Sequence, residues 1–125
     1  MKASLTVALV QQRCSADRAE NLNASCRHIR EASVAGAGLV VLQELHAGPY
    51  FCQTEDTAVF DWAEPIPGPA SDCISRAAAE AGVVVVASLF ERRAPGLYHN
   101  TAVVFETDGR IAGMYRKMHI PDDPG

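Results

Sequence analysis

The sequence lacks several features that would assign a protein to a class at once. It has no run approaching the ~18 consecutive apolar residues that a transmembrane helix requires. Its 11 Lys and Arg residues are scattered singly and its formal net charge is −4, so no basic stripe could neutralise the phosphates of a nucleic acid. The first apolar stretch ends in Gln-Gln-Arg and not in a small-residue cleavage site, which indicates a strand and not a signal peptide. These absences disfavour partners such as nucleic acids and membranes.

Common metal and serine-hydrolase motifs are missing as well. The sequence contains no G-x-S-x-G elbow and no CxxC pair, and no histidine stands at metal-ligand spacing from its four cysteines, Cys14, Cys26, Cys52 and Cys73. Free thiols of this kind are typical of a reducing compartment, so we expect a cytoplasmic protein. The 125 residues are 48% hydrophobic and 21% charged, which is enough for a single domain with a core.

The pattern of apolar residues predicts an α/β fold. Residues 5–10 and 39–42 are short continuous apolar runs, as expected of strands that are covered on both faces. Between them, Asp17 and Glu20 form a capping-box pattern that opens a helix, and the glycines within residues 35–38 end it. The order strand, helix, strand predicts a right-handed βαβ unit with parallel strands.

The middle of the chain contains an irregular segment followed by a second helix. Residues 46–68 show no sustained periodicity and contain several prolines, and a connection of this length is uncommon unless it has a function. Pro69 suits the first position of a helix, and small apolar residues recur at helical spacing until Gly82. The spacing predicts a helix over 69–81 that packs closely on a sheet.

The last third of the chain predicts antiparallel strands. Residues 83–87 form a third buried strand. Residues 101–106 and 110–115 are apolar runs joined through Asp108-Gly109, which is a strong hairpin signal. The predicted architecture therefore starts with parallel α/β units and turns antiparallel at its end.

Two charged residues stand where a catalytic site could form. Glu44 comes two residues after the second predicted strand, and ligands collect beyond the carboxyl ends of strands in α/β sheets. Lys117 follows the last predicted strand. The alternative for Glu44 is a solvated loop acid or a salt-bridge partner, and for Lys117 a surface charge. Arg116 is equally basic, so charge alone does not choose between the two neighbours.

The histidines and one cysteine offer a second kind of site. His46, His99 and His119 each border a predicted strand end, whereas His28 lies on the first predicted helix. Cys52 is the cysteine nearest to the loop that follows the second strand, and its alternative role is a small buried side chain that anchors this loop. A Cys–His enzyme therefore stays open on these residues alone.

Taken together, these segments resemble the nitrilase or carbon–nitrogen hydrolase superfamily. The specific blocks are GAGLVVLQELHAGPYFCQ and YHNTAVVFETDGRIAGMYRKMHIPDDPG, and the strands LTVALVQQ and AGVVVVASLFER stand in the matching order. The resemblance implies part of an α-β-β-α sandwich, with residues 1–125 as the N-terminal portion of a single domain. It also implies homo-oligomers and a Cys-Glu-Lys triad that uses no metal and no organic cofactor.

By position, the resemblance makes Glu44 the general base and Lys117 the catalytic lysine. The nucleophile of such enzymes is a cysteine later in the chain, in a motif resembling G-x-x-I-C-[WYF]-D. None of the four cysteines stands in such a setting. We therefore expect the 125 residues to be the N-terminal part of an enzyme and to be inactive alone.

The loop segments PYFCQ and RKMHIPDDPG resemble the branch of the superfamily that acts on N-carbamoylputrescine, which implies a small cationic ureido substrate. A carboxylate or aromatic face would hold its ammonium group. Tyr50 and His119 are the predicted pocket residues, and Asp122 and Asp123 are further candidates. The alternatives are a β-ureidopropionase, an N-carbamoyl-amino-acid hydrolase or an ω-amidase, whose anionic substrates would favour Arg or Lys, and a truncated module without catalysis.

Overall fold

The computed structural model describes residues 3–120 and shows a five-stranded mixed sheet with two helices. Its elements are β1 (Val7–Leu9), α1 (Arg18–Val34), β2 (Leu39–Val41), a 3₁₀ helix (Thr57–Trp62), α2 (Pro69–Ala81), β3 (Val84–Ala94), β4 (Leu97–Phe105) and β5 (Ile111–Arg116). The strands lie side by side in chain order. The pairs β1–β2 and β2–β3 are parallel, and β3–β4 and β4–β5 are antiparallel. The predicted α/β class and the change from parallel to antiparallel pairing are confirmed.

Helix α1 begins and ends at the predicted signals. The Asp17 carboxylate accepts the N–H of Glu20 at 3.0 Å, which is half of a capping box. The Glu20 carboxylate does not return to Asp17 but accepts the hydroxyl of Ser15 at 2.8 Å. Gly36, with φ +96°, lets the chain leave the helix. The helix face that was predicted to be buried is buried, and consists of Leu22, Cys26 and Ile29.

Helix α2 starts at Pro69 as predicted and ends before Gly82, which is left-handed with φ +66°. Its buried face is made of small residues and one isoleucine: Ala70, Ile74, Ala77 and Ala78. Cys73 and Ala81 are only partly buried. The narrow face brings α2 close to both α1 and β3.

The core lies between the two helices and one face of the sheet. Every second residue of β3 is buried up to residue 91, starting with Val85, Ala87 and Leu89, and Val103 and Phe105 of β4 lie beside them. These side chains pack on α1 and α2 because successive residues of a strand point to opposite faces. Among residues 3–120, no helix is long and apolar enough to cross a membrane.

Within residues 3–120, only one face of the first strand is covered. Val7 is 45% exposed and Leu9 is 77% exposed. Strand β1 is at the edge of the sheet, and the helices of the described chain pack on one face only. An apolar run is therefore compatible with a half-covered strand as well as with a fully covered one.

Strand β3 is also longer than predicted. The prediction ended it at residue 87, but the strand continues to Ala94 and pairs with β4 across a turn at Gly96. Backbone pairing needs no apolar side chain. The alternation even continues, since Glu91 occupies the next buried position.

The β4–β5 turn gives a stability prediction. Gly109 has φ +85°, and a Cβ there would lie 2.6 Å from the carbonyl oxygen of Ser75. We expect Gly109→Ala to lower the free energy of unfolding by about 2 kcal/mol or more, from backbone strain plus the collision with α2. The matched control is Gly96→Ala, because Gly96 has φ +75° but nothing within 4 Å of a Cβ. Equal losses for the two variants in chemical denaturation would contradict the predicted collision.

Candidate active site

Glu44 and Lys117 meet at one edge of the sheet. Glu44 lies three residues after β2 and Lys117 directly follows β5, and these two strands run in the same direction. The Lys117 ammonium donates a hydrogen bond to Oε1 of Glu44. The two side chains remain 40% and 43% exposed, so the pair is open to solvent. The structure thus brings the two predicted residues together, and their catalytic roles stay a prediction.

Asn100 of β4 contacts both members of this pair. Its Nδ2 donates to Oε1 of Glu44 at 2.7 Å, and its main-chain oxygen accepts the N–H of Lys117 at 3.0 Å. The residue is buried. Sequence reasoning missed it, although a carboxamide at the start of the apolar run NTAVVF was a usable signal.

The chain after Glu44 turns sharply. Leu45 is buried and has φ +52°, a left-handed conformation that costs a non-glycine residue about 1 kcal/mol or more. Its N–H donates to Oγ of Ser88 at 2.9 Å, and this hydroxyl donates in turn to Oδ1 of Asn100 at 3.4 Å. The strained turn is therefore linked through Ser88 to Asn100, which also holds the Glu44 carboxylate.

The electrostatics of the pair favour an ionised carboxylate. The hydrogen bond from Lys117 lowers the pKa of Glu44 below its usual range, and the amide of Asn100 adds to this effect. Partial burial acts in the opposite direction and does not reverse the shift. At neutral pH Glu44 is thus a carboxylate that can accept a proton.

The alternation of side chains along β5 decides that Lys117, and not Arg116, contacts Glu44. Arg116 donates from Nε and a terminal nitrogen to the two oxygens of Glu91, at 2.7 and 2.8 Å. The Glu91 side chain is only 2% exposed, and it also accepts the hydroxyl of Thr101 at 2.9 Å. The Arg116 guanidinium lowers the pKa of Glu91 below its usual range. Arg116 therefore pairs with Glu91 on the helix side of the sheet, and Lys117 pairs with Glu44 on the other side.

His46 anchors the turn from inside. Its ring is buried, and Nδ1 lies 2.9 Å from Oγ of Ser25 on α1. Asn21 of the same helix donates to the carbonyl oxygen of Ala47 at 3.1 Å. Burial lowers the pKa of His46 to about 4, and the charge of Arg18 contributes less. A neutral, enclosed imidazole of this kind supports the structure of the Glu44 turn.

The cysteines do not complete the site. None of the four forms a hydrogen bond with the side chain of Glu44 or Lys117, and within residues 3–120 no imidazole nitrogen is hydrogen-bonded to a thiol. Cys14 donates to the main-chain oxygen of His46 at 3.3 Å. Cys52 lines a neighbouring cavity. The Cys–His arrangement that the sequence left open is therefore not formed by these residues.

The cavity beside Asn100 has a volume of about 760 Å³ and is both acidic and aromatic. Glu55 and Asp56 line it, and no Lys or Arg among residues 3–120 does. Two aromatic pairs stand on its wall, Phe51 with Phe90 at a centroid distance of 4.7 Å and Phe60 with Tyr98 at 4.5 Å. Such a wall suits a small organic cation.

The predicted pocket residues are not among those that line this cavity. Tyr50 and His119 are both exposed and do not line the cavity, whereas Ile120, next to His119, does. Asp122 and Asp123 lie outside the described residues. Substrate contacts by Tyr50 and His119 stay a prediction. Glu55, Phe51 and Phe60 come from the irregular segment 46–68, where no periodic pattern indicated them, whereas Phe90 and Tyr98 belong to β3 and β4.

A carboxylate–amine pair beyond the strand ends of an α/β sheet, beside an open cavity, is typical of enzymes that act on small molecules. Residues 6–125 match the model of the carbon–nitrogen hydrolase family, and the chain belongs to this family, a part of the nitrilase superfamily. The crystal structure of a carbon–nitrogen hydrolase from Helicobacter pylori superposes with a TM-score of 0.88 at 40% identity, covering 97% of this chain and 44% of that one. The resemblance seen in the sequence is confirmed.

Two kinds of curated relatives match almost the whole chain. An N-carbamoylputrescine amidase of Solanum lycopersicum is 39% identical over 122 residues, covering 97% of this chain and 40% of that protein. An omega-amidase of Bos taurus is 36% identical over 121 residues, covering 96% of this chain and 42% of that protein. The chain thus spans about two-fifths of the length of the curated relatives that it matches.

The buried His46 predicts a pH dependence of stability. Its folded-state pKa of about 4 lies below the ~6.5 expected when unfolded, so between these values the unfolded state binds more protons. Stability present above pH 6.5 is then lost as the pH falls toward 4, by about 3 kcal/mol from this residue. His46→Asn should flatten this part of the curve in denaturation measured across pH. His28→Asn, at a partly exposed position of α1, is the control, and an unchanged slope in His46→Asn would refute the assignment.

Proposed function

We propose that the intact protein hydrolyses the ureido group of N-carbamoylputrescine, giving putrescine, carbon dioxide and ammonia. The observation that carries the proposal is the contact between Glu44 and Lys117, both bonded to Asn100, at the edge where two strands end. The plant relatives named N-carbamoylputrescine amidases, at 38–40% identity, support the choice of substrate. We take residues 1–125 to be the N-terminal portion of one catalytic domain.

In this proposal Glu44 is the general base. A thiol with a pKa of ~8.5 is mostly protonated at neutral pH, so a neighbouring carboxylate is needed to form the thiolate. The lowered pKa of Glu44 keeps its carboxylate unprotonated at neutral pH. The nucleophilic cysteine is expected outside these 125 residues, because no cysteine of the chain contacts the pair. Cys52, on the cavity wall, is the alternative.

Lys117 stabilises the charge that develops on the substrate. Attack of the thiolate on the ureido carbon moves an electron pair onto its oxygen, and a nearby ammonium can offset that charge. Glu44 then passes its proton to the departing ammonia as the C–N bond breaks, which leaves a thiocarbamate on the cysteine. Glu44 next activates a water molecule that hydrolyses this thiocarbamate. The carbamate so released loses carbon dioxide and leaves the free amine.

The cavity supports a cationic substrate over an anionic one. Its carboxylates are Glu55 and Asp56, and its aromatic rings offer electron-rich faces to an ammonium group. Substrates of ω-amidases, β-ureidopropionases and N-carbamoyl-amino-acid hydrolases end in a carboxylate, which these groups would repel. Those activities remain the alternative within the family, and a module without catalysis is the alternative outside it.

The roles of the pair are tested in the full-length protein. We expect Glu44→Gln and Lys117→Ala each to reduce ammonia release from N-carbamoylputrescine by roughly a thousandfold or more, since each removes a group that acts in the transition state. Glu106→Gln, a change of the same chemistry near the β4–β5 turn, should leave the rate unchanged. Circular dichroism checks folding, and full turnover in either site variant would refute its role.

The charge of the cavity is tested by a separate substitution. Glu55→Gln should raise KM for N-carbamoylputrescine about fivefold, the effect of ~1 kcal/mol of lost attraction, with little change in kcat. The same variant should not raise KM for an anionic ureido substrate such as N-carbamoyl-β-alanine. A wild-type preference for the anionic compound would overturn the choice of substrate while leaving the Glu44 and Lys117 assignment intact.

A further inference from the structure

Two cysteines that the proposed reaction does not use are in direct contact. Cys26 lies on α1 and Cys73 on α2, and their sulfur atoms are 3.0 Å apart. Cys26 is buried and Cys73 is partly buried. They lie where the helices pack together on the covered side of the sheet, whereas Asn100 and the Glu44–Lys117 pair belong to the other side.

A groove gives solvent access to these sulfur atoms. It has a volume of about 360 Å³, and both thiols contribute to its wall. Three of its remaining residues are arginines, and the polar lining consists of Asn23, Arg27, Arg30, Arg76 and Glu80. A small polar molecule can therefore reach the thiols from solution.

The surroundings shift the pKa values of the two thiols in opposite directions. The hydrogen bond from Cys26 lowers the pKa of Cys73, and the charges of Arg76 and Arg30 lower it further. The same contact and burial raise the pKa of Cys26. Cys73, beside Arg76, is therefore the more acidic of the two thiols, and Cys26 lies 3.0 Å from it, which is the arrangement of a reactive cysteine beside a resolving one.

We propose that Cys26 and Cys73 form a peroxide-sensitive dithiol site that closes into a disulfide between α1 and α2. The sulfur atoms have to approach by only about 1 Å to reach the ~2.05 Å of a disulfide bond. The site is independent of the proposed hydrolase function, because neither sulfur contacts a residue of the Glu44 pair.

The oxidation balances with one molecule of hydroperoxide. The Cys73 thiolate attacks one peroxide oxygen, the O–O bond breaks, and the products are a sulfenic acid on Cys73 and an alcohol, or water when the oxidant is hydrogen peroxide. Cys26 then loses its proton and attacks the Cys73 sulfur, and the S–O bond breaks to release water. Two thiols are oxidised and one peroxide is reduced. Cellular thiols can reduce this disulfide by thiol–disulfide exchange.

The test uses the full-length protein with Cys52→Ser, so that each tryptic peptide concerned holds one cysteine. Brief treatment with hydrogen peroxide, alkylation and mass spectrometry should show peptides 19–27 and 31–76 joined, and dithiothreitol should separate them. Cys26 and Cys73 should lose alkylation together while Cys14 retains it. The joined form should melt at a higher temperature, because the bond closes a loop across 47 positions.

The roles of the two thiols and of Arg76 are tested by two substitutions and one control. Cys26→Ser should abolish the joined peptides and leave a sulfenic acid on Cys73 that reacts with dimedone. Arg76→Gln should slow alkylation of Cys73 several-fold at neutral pH, whereas Arg27→Gln, in the same groove, should not. Oxidation of Cys14 before this pair, or conversion of Cys73 to sulfinic acid without joining to Cys26, would overturn the proposal.

Discussion

The antiparallel register of β4 on β5 is the constraint on which the candidate site depends. Thr101 of β4 lies opposite Arg116 of β5, so Asn100, which precedes Thr101, is a neighbour of Lys117, which follows Arg116. Because side chains alternate between the faces of a sheet, a shift of one residue would move Arg116 to the Glu44 side and Lys117 to the helix side. The pairing of Glu44 with an amine is thus a consequence of strand register.

The pair of Glu91 and Arg116 favours this register from the covered face. Glu91 is almost fully buried, and a carboxylate there would be costly without its partner. A slipped register would separate the two charges and leave Glu91 without the bidentate guanidinium of Arg116. The ion pair on one face of the sheet and the Glu44–Lys117 pair on the other are therefore two results of one alignment, and the turn at Gly109 connects the strands that make it.

Much of the fold followed from local signals. The Asp17 cap, Pro69, Gly82 and the Asp108-Gly109 turn act on the few residues around them, and each appears in the structure as predicted. The length of β3 and the open outer face of β1 did not follow, because both depend on what packs nearby in space. The acidic, aromatic cavity lies in part on residues 51–60, which carry no periodic pattern and take their positions from contacts with β3 and β4.

The sequence by itself determined the family and the two residues that matter most to the proposed chemistry. The blocks around Glu44 and Lys117 carry that information within a few positions of each residue. Only the tertiary structure decided that these residues, 73 positions apart, touch, that Asn100 holds both, and that Cys26 and Cys73 face each other. The physical reason is that such contacts arise from strand register and helix packing, which bring together segments with no local signal for one another.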